Sequence, residues 1–149
     1  MAELLRFNDE QGRIFLSADE RPERIARRQR LLEALAVQQG ERILDVGCGA
    51  GQLAAEVAML VGPAGRVDGV DISDDMVAAA QNRSRDQPFG SWAHFRQADA
   101  AELPFPHEAF DGIVSHMVYE YVASIEKALG QLRAVLEPSG IEAHNGDRP

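Results

Sequence analysis

The chain has 149 residues, of which 45% are hydrophobic, and a formal net charge of −9. This length suits one compact domain with its own core and is short for two. The acidic balance disfavours nonspecific binding to nucleic acid or to an anionic membrane, and no apolar run reaches the roughly 18 residues of a membrane-spanning helix.

The sequence over 1–21 has no regular apolar period, and a helix is predicted after it. The first residues lack the basic-then-apolar pattern of a secretory signal, so the cytoplasm is the expected compartment. Pro22 suits a first helical turn, and the pattern from there to Gly40 predicts a leading helix over 22–39. The basic residues of this helix are expected on a solvated face: Arg24, Arg27, Arg28 and Arg30.

After Gly40, short β-rich runs alternate with helical runs. Strands are predicted over 42–46, 66–72, 94–99 and 110–117. Helices are predicted over 51–60, 73–85 and 124–137, with Ser73 as a candidate N-cap. The apolar stripes expected to be buried comprise Leu53, Val57 and Leu60 in the first of these helices and Ile125, Leu129, Leu132 and Leu136 in the last. The alternation predicts an α/β fold, a Rossmann-like three-layer sandwich around a mainly parallel sheet.

The stretch "ILDVGCGAGQL", residues 43–53, places Gly47, Gly49 and Gly51 directly behind the first strand and close to Asp45. Glycines let the backbone approach a ligand closely, but a carboxylate at this point disfavours a pyrophosphate. The dinucleotide fingerprint also needs a glycine where Gln52 stands, so a nicotinamide-dependent oxidoreductase fits poorly. An adenosine ligand with positive charge and no phosphate, such as S-adenosylmethionine, satisfies both the glycines and the carboxylate.

The ends of the four predicted strands carry further polar residues. In an open parallel sheet, ligands bind beyond the carboxyl ends of the strands. Asp71 ends the second strand 20 residues after Gly51, the spacing at which a carboxylate accepts hydrogen bonds from ribose hydroxyls. The third strand ends at Asp99, and the fourth ends near Ser115 and His116.

The chain from about Gly40 to Gly140 resembles a class I S-adenosylmethionine-dependent methyltransferase, of the broad methyltransferase-11 type that includes quinone-biosynthesis and arsenite methyltransferases. The resemblance is carried by five motifs in order: "ILDVGCGAGQL", "VDGVDIS", "QADAAELPF", "FDGIVSHMVYEYV" and "LRAVLEPSG".

This resemblance implies S-adenosylmethionine as the cofactor and a small molecule as the methyl acceptor. The residues it assigns to the cofactor are Gly47 and Gly49 beside the methionine part, Asp71 on the ribose, Ile72 and Met76 on adenine, and Asp99 and the Ala100 amide on the adenine nitrogens. The predicted cofactor site also includes Asp45, Gly51 and Ser115. For three of these residues a structural role is the alternative: Asp71 and Asp99 as caps of the following segments, and Met76 as a core residue.

Methyl transfer from a sulfonium is an in-line displacement with a good leaving group, so holding the acceptor close and aligned can suffice. For an acceptor that must lose a proton, His116 is the candidate catalytic base, with a pocket-lining role as the alternative. The single cysteine, Cys48, allows no internal disulfide, and no metal site is expected. We expect Cys48 to be a packed side chain of the turn.

Relatives of this type continue through a fifth strand and an antiparallel pair into a seven-stranded sheet. Here the predicted single domain over 1–149 has its cofactor-binding core at 40–140 and a polar tail at 141–149, and it lacks those carboxyl-terminal strands. The fourth strand is then an exposed sheet edge, through which a homodimer could form. Two hypotheses follow: an active small-molecule methyltransferase, and a truncated, inactive module that binds S-adenosylmethionine.

Overall fold

The structure is a computed structural model that describes residues 20–115 and 124–136. In chain order its elements are α1 (Pro22–Leu35), β1 (Arg42–Val46), α2 (Gln52–Val61), β2 (Arg66–Asp71), α3 (Asp74–Ser84), a 3₁₀ helix (Pro88–Ser91), β3 (Ala93–Gln97), β4 (Gly112–Ser115) and α4 (Ile125–Val135).

Within the described ranges the sheet has four parallel strands in the order β3-β2-β1-β4. Asp45 in β1 is paired with Gly69 in β2 and with Val114 in β4. Because the strands run the same way, their carboxyl ends meet at one edge of the sheet. The arrangement confirms the predicted α/β, Rossmann-like fold.

Helices and loops cover both faces of the sheet, which gives three layers. One face packs Ile43, Val67 and Val114 against a buried cluster that includes the inner sides of α2 and α3. The other face packs Leu44, Val46 and Val70 against the buried residues Leu103, Phe110 and Val135. Almost every β1 residue is buried, as expected of a central strand in a parallel sheet.

The helix N-cap predicted at Ser73 is confirmed. The Ser73 side chain accepts a hydrogen bond from the Met76 amide, and Asp74 and Asp75 occupy the first turn of α3. The two carboxylates lie near the positive end of the helix dipole, where negative charge stabilises a helix. This cap fixes the start of α3 directly after the end of β2.

The first helix is shorter than predicted, because it ends at Leu35 and not at residue 39. Ala36 adopts a left-handed conformation with φ of 48°. The Gln38 side chain then donates to the Ala36 carbonyl, and the Gln38 amide donates to the carboxylate of Glu41. These two hydrogen bonds stabilise a separate turn after the helix, so the chain leaves the helical conformation at Leu35.

One arginine of this helix was wrongly expected to be solvated. Arg28 is buried, and its Nε donates to the Glu56 carboxylate in α2 at 3.2 Å. The pairing supplies the opposite charge that a buried guanidinium requires. The tertiary contact with α2 therefore overrides the local pattern.

Three residues of the predicted apolar stripes are exposed. Ile125 and Leu129 in α4 are 52% and 53% exposed, and Leu60 in α2 is 43% exposed. Their places in the core are taken by Ala128, Val135 and Val61. The way each helix packs on the sheet decides which side of the helix is buried. The apolar pattern in the sequence was compatible with more than one buried side.

The outer strands differ from the prediction at their ends. β3 ends at Gln97, so Asp99 follows the strand and does not end it, and β4 begins at Gly112, two residues later than predicted. Residues 116 and 117, predicted as the end of this strand, lie outside the described residues. Among the described helices, none has the length and apolar content needed to cross a bilayer. The homodimer through the β4 edge stays a prediction.

Candidate functional site

A turn of three glycines joins β1 to α2 at the carboxyl edge of the sheet. Gly47, Gly49 and Gly51 have φ of 74°, 54° and 81°, in the left-handed region that glycine adopts without steric cost. The Gly47 and Cys48 amides both donate to the Val70 carbonyl, at 2.8 and 2.9 Å. The turn is thereby fixed above the neighbouring strand β2.

Gly51 has a second reason to be glycine. A Cβ atom built at this position would lie 2.9 Å from the Cβ of Ala80 and 3.3 Å from the ring of Phe95. The absent side chain lets the turn approach α3 and β3 closely. The sequence motif is therefore also a packing requirement.

The carboxylate of Asp71 ties the turn to the end of β2. Its Oδ2 accepts from the Gly49 amide at 2.9 Å, and its Oδ1 accepts from the Ser73 amide at 2.9 Å. Burial raises the pKa of Asp71, and the hydrogen bonds from Ser73 and Gly49 oppose that rise. The side chain does cap the following segment, as the structural alternative held, but each oxygen can accept further hydrogen bonds.

Asp45 lies beneath the turn and is only 2% exposed. Its Oδ2 is buried and has no hydrogen-bond partner among the described residues. Burial, and then the charge of Asp71, raises the pKa of Asp45 to about 7. A buried carboxyl without a partner is costly in the ionised form, so this part of the site favours a positive charge nearby.

Cys48 lies in the turn, and its side chain is buried. Burial, with the charges of Asp45 and Asp71, raises the pKa of the Cys48 thiol well above its usual value. Since the thiolate is the nucleophilic form, the thiol is unreactive at neutral pH. This agrees with the expected role as a packed side chain.

At the tip of β4, Ser115 contacts the tip of β1. Its hydroxyl donates to the Val46 carbonyl at 3.0 Å, and Val46 directly precedes the glycine turn. The structure thus brings Ser115 to the same edge as Asp45, Gly47 and Asp71. His116, the candidate base, lies outside the described residues.

After β3 the chain makes a short turn at Asp99. Oδ1 of Asp99 accepts from the Ala101 amide at 2.8 Å, so this carboxylate also has a capping contact, although Asp99 is exposed. The Ala100 amide donates to no other described residue, while the Ala100 side chain packs against the buried cluster that contains Leu103 and Phe110. Backbone and carboxylate at this tip retain hydrogen-bonding capacity for a ligand.

The two residues expected on adenine differ in exposure. Ile72 is partly exposed, and its carbonyl accepts from the Gln97 side chain at 2.9 Å. Met76 is 3% exposed, so little of its side chain is accessible. No local pattern in the sequence predicts the Gln97 contact, which joins residues 25 positions apart in the chain.

A cavity of about 270 Å³ lies elsewhere, next to Phe110 and Asp68. Three arginines line it, and each is engaged: Arg42 with Asp111 at 3.0 Å, Arg66 with Asp68 at 2.6 Å, and Arg96 stacked over the Phe105 ring at 4.6 Å. None of the residues expected at the cofactor site lines this cavity.

Comparisons with known proteins agree on the family of this chain. Residues 43–140 match a family model described as a methyltransferase domain. A demethylmenaquinone methyltransferase of Symbiobacterium thermophilum is 39% identical over 101 residues, which cover 68% of this chain and 40% of that protein. The chain spans less than half the length of the curated relatives that it matches.

Two solved structures have the same fold. A structure titled as a SAM-dependent methyltransferase from Aquifex aeolicus superposes with a TM-score of 0.77 at 21% identity and covers 89% of this chain and 69% of that one. The [4+2]-cyclase SpnF superposes with a TM-score of 0.70 at 31% identity and covers 76% of this chain and 41% of that one. The same architecture is therefore found in proteins named for different reactions.

Proposed function

Because the chain belongs to the methyltransferase-domain family, we propose that it binds S-adenosylmethionine at the carboxyl edge of its sheet and serves methyl transfer to a small-molecule acceptor. One observation carries the proposal. Two carboxylates, Asp45 and Asp71, lie at a turn of left-handed glycines, and Asp71 accepts a hydrogen bond from the turn itself.

The charge of the site selects between ligands that need a glycine turn. A pyrophosphate approaching this turn would meet the charges of Asp45 and Asp71. A ligand with a sulfonium and an ammonium group instead compensates the buried Asp45 carboxyl, whose Oδ2 has no described partner. The donor set thus fits S-adenosylmethionine better than a dinucleotide.

We assign the parts of the cofactor to residues as follows. The backbone at Gly47 and Gly49 borders the methionine part, and Asp71 accepts hydrogen bonds from the ribose hydroxyls. The exposed Asp99 carboxylate and the Ala100 amide serve the adenine nitrogens, with Ile72 against the ring. Met76, being buried, supports this wall from behind.

S-adenosylmethionine, when bound, supplies a methyl group on a positively charged sulfur, which is an excellent leaving group. The chain then needs to bind, orient and desolvate the reactants, and alignment alone supplies much of the acceleration in such a step. Where the acceptor is a carbon or hydroxyl that must lose a proton, we propose His116 as the base.

For the acceptor we propose a quinol-type aromatic ring. The support is the name of the relative from Symbiobacterium thermophilum, a demethylmenaquinone methyltransferase, at 39% identity. A ring carbon that gains a methyl group must lose a proton to become aromatic again, so this acceptor class gives the proposed base a defined task.

A second candidate function is binding without transfer. It is favoured by the 31% identity to a structure titled as a [4+2]-cyclase, a protein named for a different reaction. The residues that we assign to the cofactor lie in the described ranges, whereas His116, the proposed base, does not. Binding and transfer therefore need separate tests.

Calorimetric titration with S-adenosylhomocysteine tests binding, and NAD⁺ is the matched control ligand with the same adenosine group. We expect saturable binding of S-adenosylhomocysteine and none of NAD⁺. Transfer is then measured with S-adenosylmethionine carrying a labelled methyl group and a short-chain demethylated naphthoquinol. Label in the quinol supports the enzyme, binding without label supports the module, and NAD⁺ binding in preference would refute both.

A further inference from the structure

We propose that Arg83 is a positioning residue that holds the glycine turn in its ligand-binding shape, an inference that rests on the proposed function. Arg83 lies near the end of α3, and its Nε donates to the Ala50 carbonyl at 2.9 Å. Ala50 stands between Gly49 and Gly51, so the contact is made in the middle of the turn.

The turn needs such an anchor because its residues have little conformational preference of their own. Gly49 and Gly51 both adopt left-handed conformations, and glycine reaches many alternatives at similar cost. Asp71 fixes the Gly49 amide, and Arg83 fixes the following Ala50 carbonyl. Two charged side chains thus orient consecutive parts of the turn.

Arg83 also connects the turn to more distant helices. Its Nη1 donates to the side-chain Oε1 of Gln52, and the side-chain Nε2 of Gln52 donates to the Glu56 carboxylate at 3.2 Å. The same Glu56 oxygen accepts from Arg28 in α1. These hydrogen bonds form a network that joins α3, α2 and α1, and its members are Arg83, Gln52, Glu56 and Arg28.

This hydrogen-bond network gives a physical reason for Gln52, which stands where the dinucleotide fingerprint needs a glycine. A glycine in place of Gln52 would have no side-chain amide to bridge Arg83 and Glu56. The side chain of Gln52 can accept from one partner and donate to the other at the same time. Position 52 therefore serves the geometry of the turn through hydrogen bonding.

Because Arg83 is exposed, its effect on the glycine turn can be measured separately from its effect on the stability of the fold. Arg83 is exposed and contributes little to the core, so its removal should change the turn more than the fold. Arg85 is the matched control, since it is also exposed and makes no side-chain hydrogen bond or ion pair with the described part of the chain.

The experiment compares Arg83→Met, Arg83→Lys and Arg85→Met with the parent chain. Affinities are measured for S-adenosylhomocysteine and for 5′-methylthioadenosine, which lacks the amino acid group. We expect Arg83→Met to weaken S-adenosylhomocysteine binding about 3- to 10-fold and to leave 5′-methylthioadenosine within about twofold. Arg83→Lys, which keeps a donor, should recover part of the loss, and Arg85→Met should match the parent.

A readout without ligand separates this inference from the proposed function. The amide resonances of Gly49 and Gly51 should shift in Arg83→Met and stay in place in Arg85→Met. If the parent chain fails to bind S-adenosylhomocysteine while these shifts occur, the function falls and the positioning role stands. Unmoved resonances, or equal losses for both ligands that follow a loss of stability, would overturn the positioning role.

Discussion

Asp71 and the Gly49 amide are joined by a hydrogen bond of 2.9 Å, although 22 residues separate them in the chain. The contact couples the end of β2 to the glycine turn after β1. The same carboxylate also accepts from the Ser73 amide, so it holds both the turn after β1 and the segment after β2.

Replacing Asp71 should therefore reduce ligand affinity strongly. We expect Asp71→Ala to weaken S-adenosylhomocysteine binding about 10- to 100-fold, on the order of 1.4–3 kcal/mol, because hydrogen bonds to a charged acceptor are lost. The measurement is calorimetric titration. Asp75→Asn removes an exposed carboxylate of the first turn of α3 and should leave the affinity unchanged. Equal affinity of Asp71→Ala and the parent would contradict the assigned role.

The buried Asp45 should make stability depend on pH. Its pKa of about 7 in the folded chain lies above the ordinary 3.8, so its stabilising contribution is complete below pH about 4 and is lost as the pH rises to about 7. Asp45→Asn carries no such charge and should show a flatter pH profile, with a difference in slope of up to about 1.4 kcal/mol per pH unit.

The measurement is urea denaturation of both proteins between pH 4.5 and 8. Burial also raises the pKa of Asp71, which acts in the same direction and is present in both proteins. Parallel curves for the parent and Asp45→Asn would show that Asp45 does not titrate in this range.

Gly51→Ala should destabilise the chain by on the order of 2–4 kcal/mol. Alanine at φ of 81° is strained, and its methyl group would meet Ala80 at 2.9 Å. Gly130→Ala is the control within α4, where no described atom outside the surrounding helix backbone lies within 4 Å of the added methyl group. That change should stabilise by about 0.5–1 kcal/mol through helix propensity. Equal free energies of unfolding for the two variants would contradict this prediction.

Removing the Arg28 guanidinium should cost stability because it leaves Glu56 without its buried cation. We expect Arg28→Met to destabilise by about 1–3 kcal/mol, less than for a fully buried pair since the Glu56 side chain is 23% exposed. Arg30→Met on the exposed side of the same helix should change stability by less than about 0.5 kcal/mol. Denaturant midpoints compare the two, and a solvated Arg28 would give them the same value.

Much of the geometry of the candidate site could be predicted from the sequence because it depends on short stretches of chain. The glycines, Asp71 and Ser73 occur in runs whose turn and cap chemistry is local. The order of strands and helices likewise follows from alternating patterns. Helix ends and buried sides were less predictable: α1 ends at Leu35, and Ile125 and Leu129 are exposed, since packing partners decide both.

By itself the sequence determined a parallel α/β fold with a glycine turn and carboxylates at the strand ends, because backbone conformational preference and hydrophobic period are properties of neighbouring residues. Only the tertiary structure decided that Arg28 is buried against Glu56, that Arg83 holds the Ala50 carbonyl, and that burial raises the pKa of Asp45 to about 7. Those outcomes depend on solvent exclusion and on contacts between residues far apart in the chain, which no local pattern encodes.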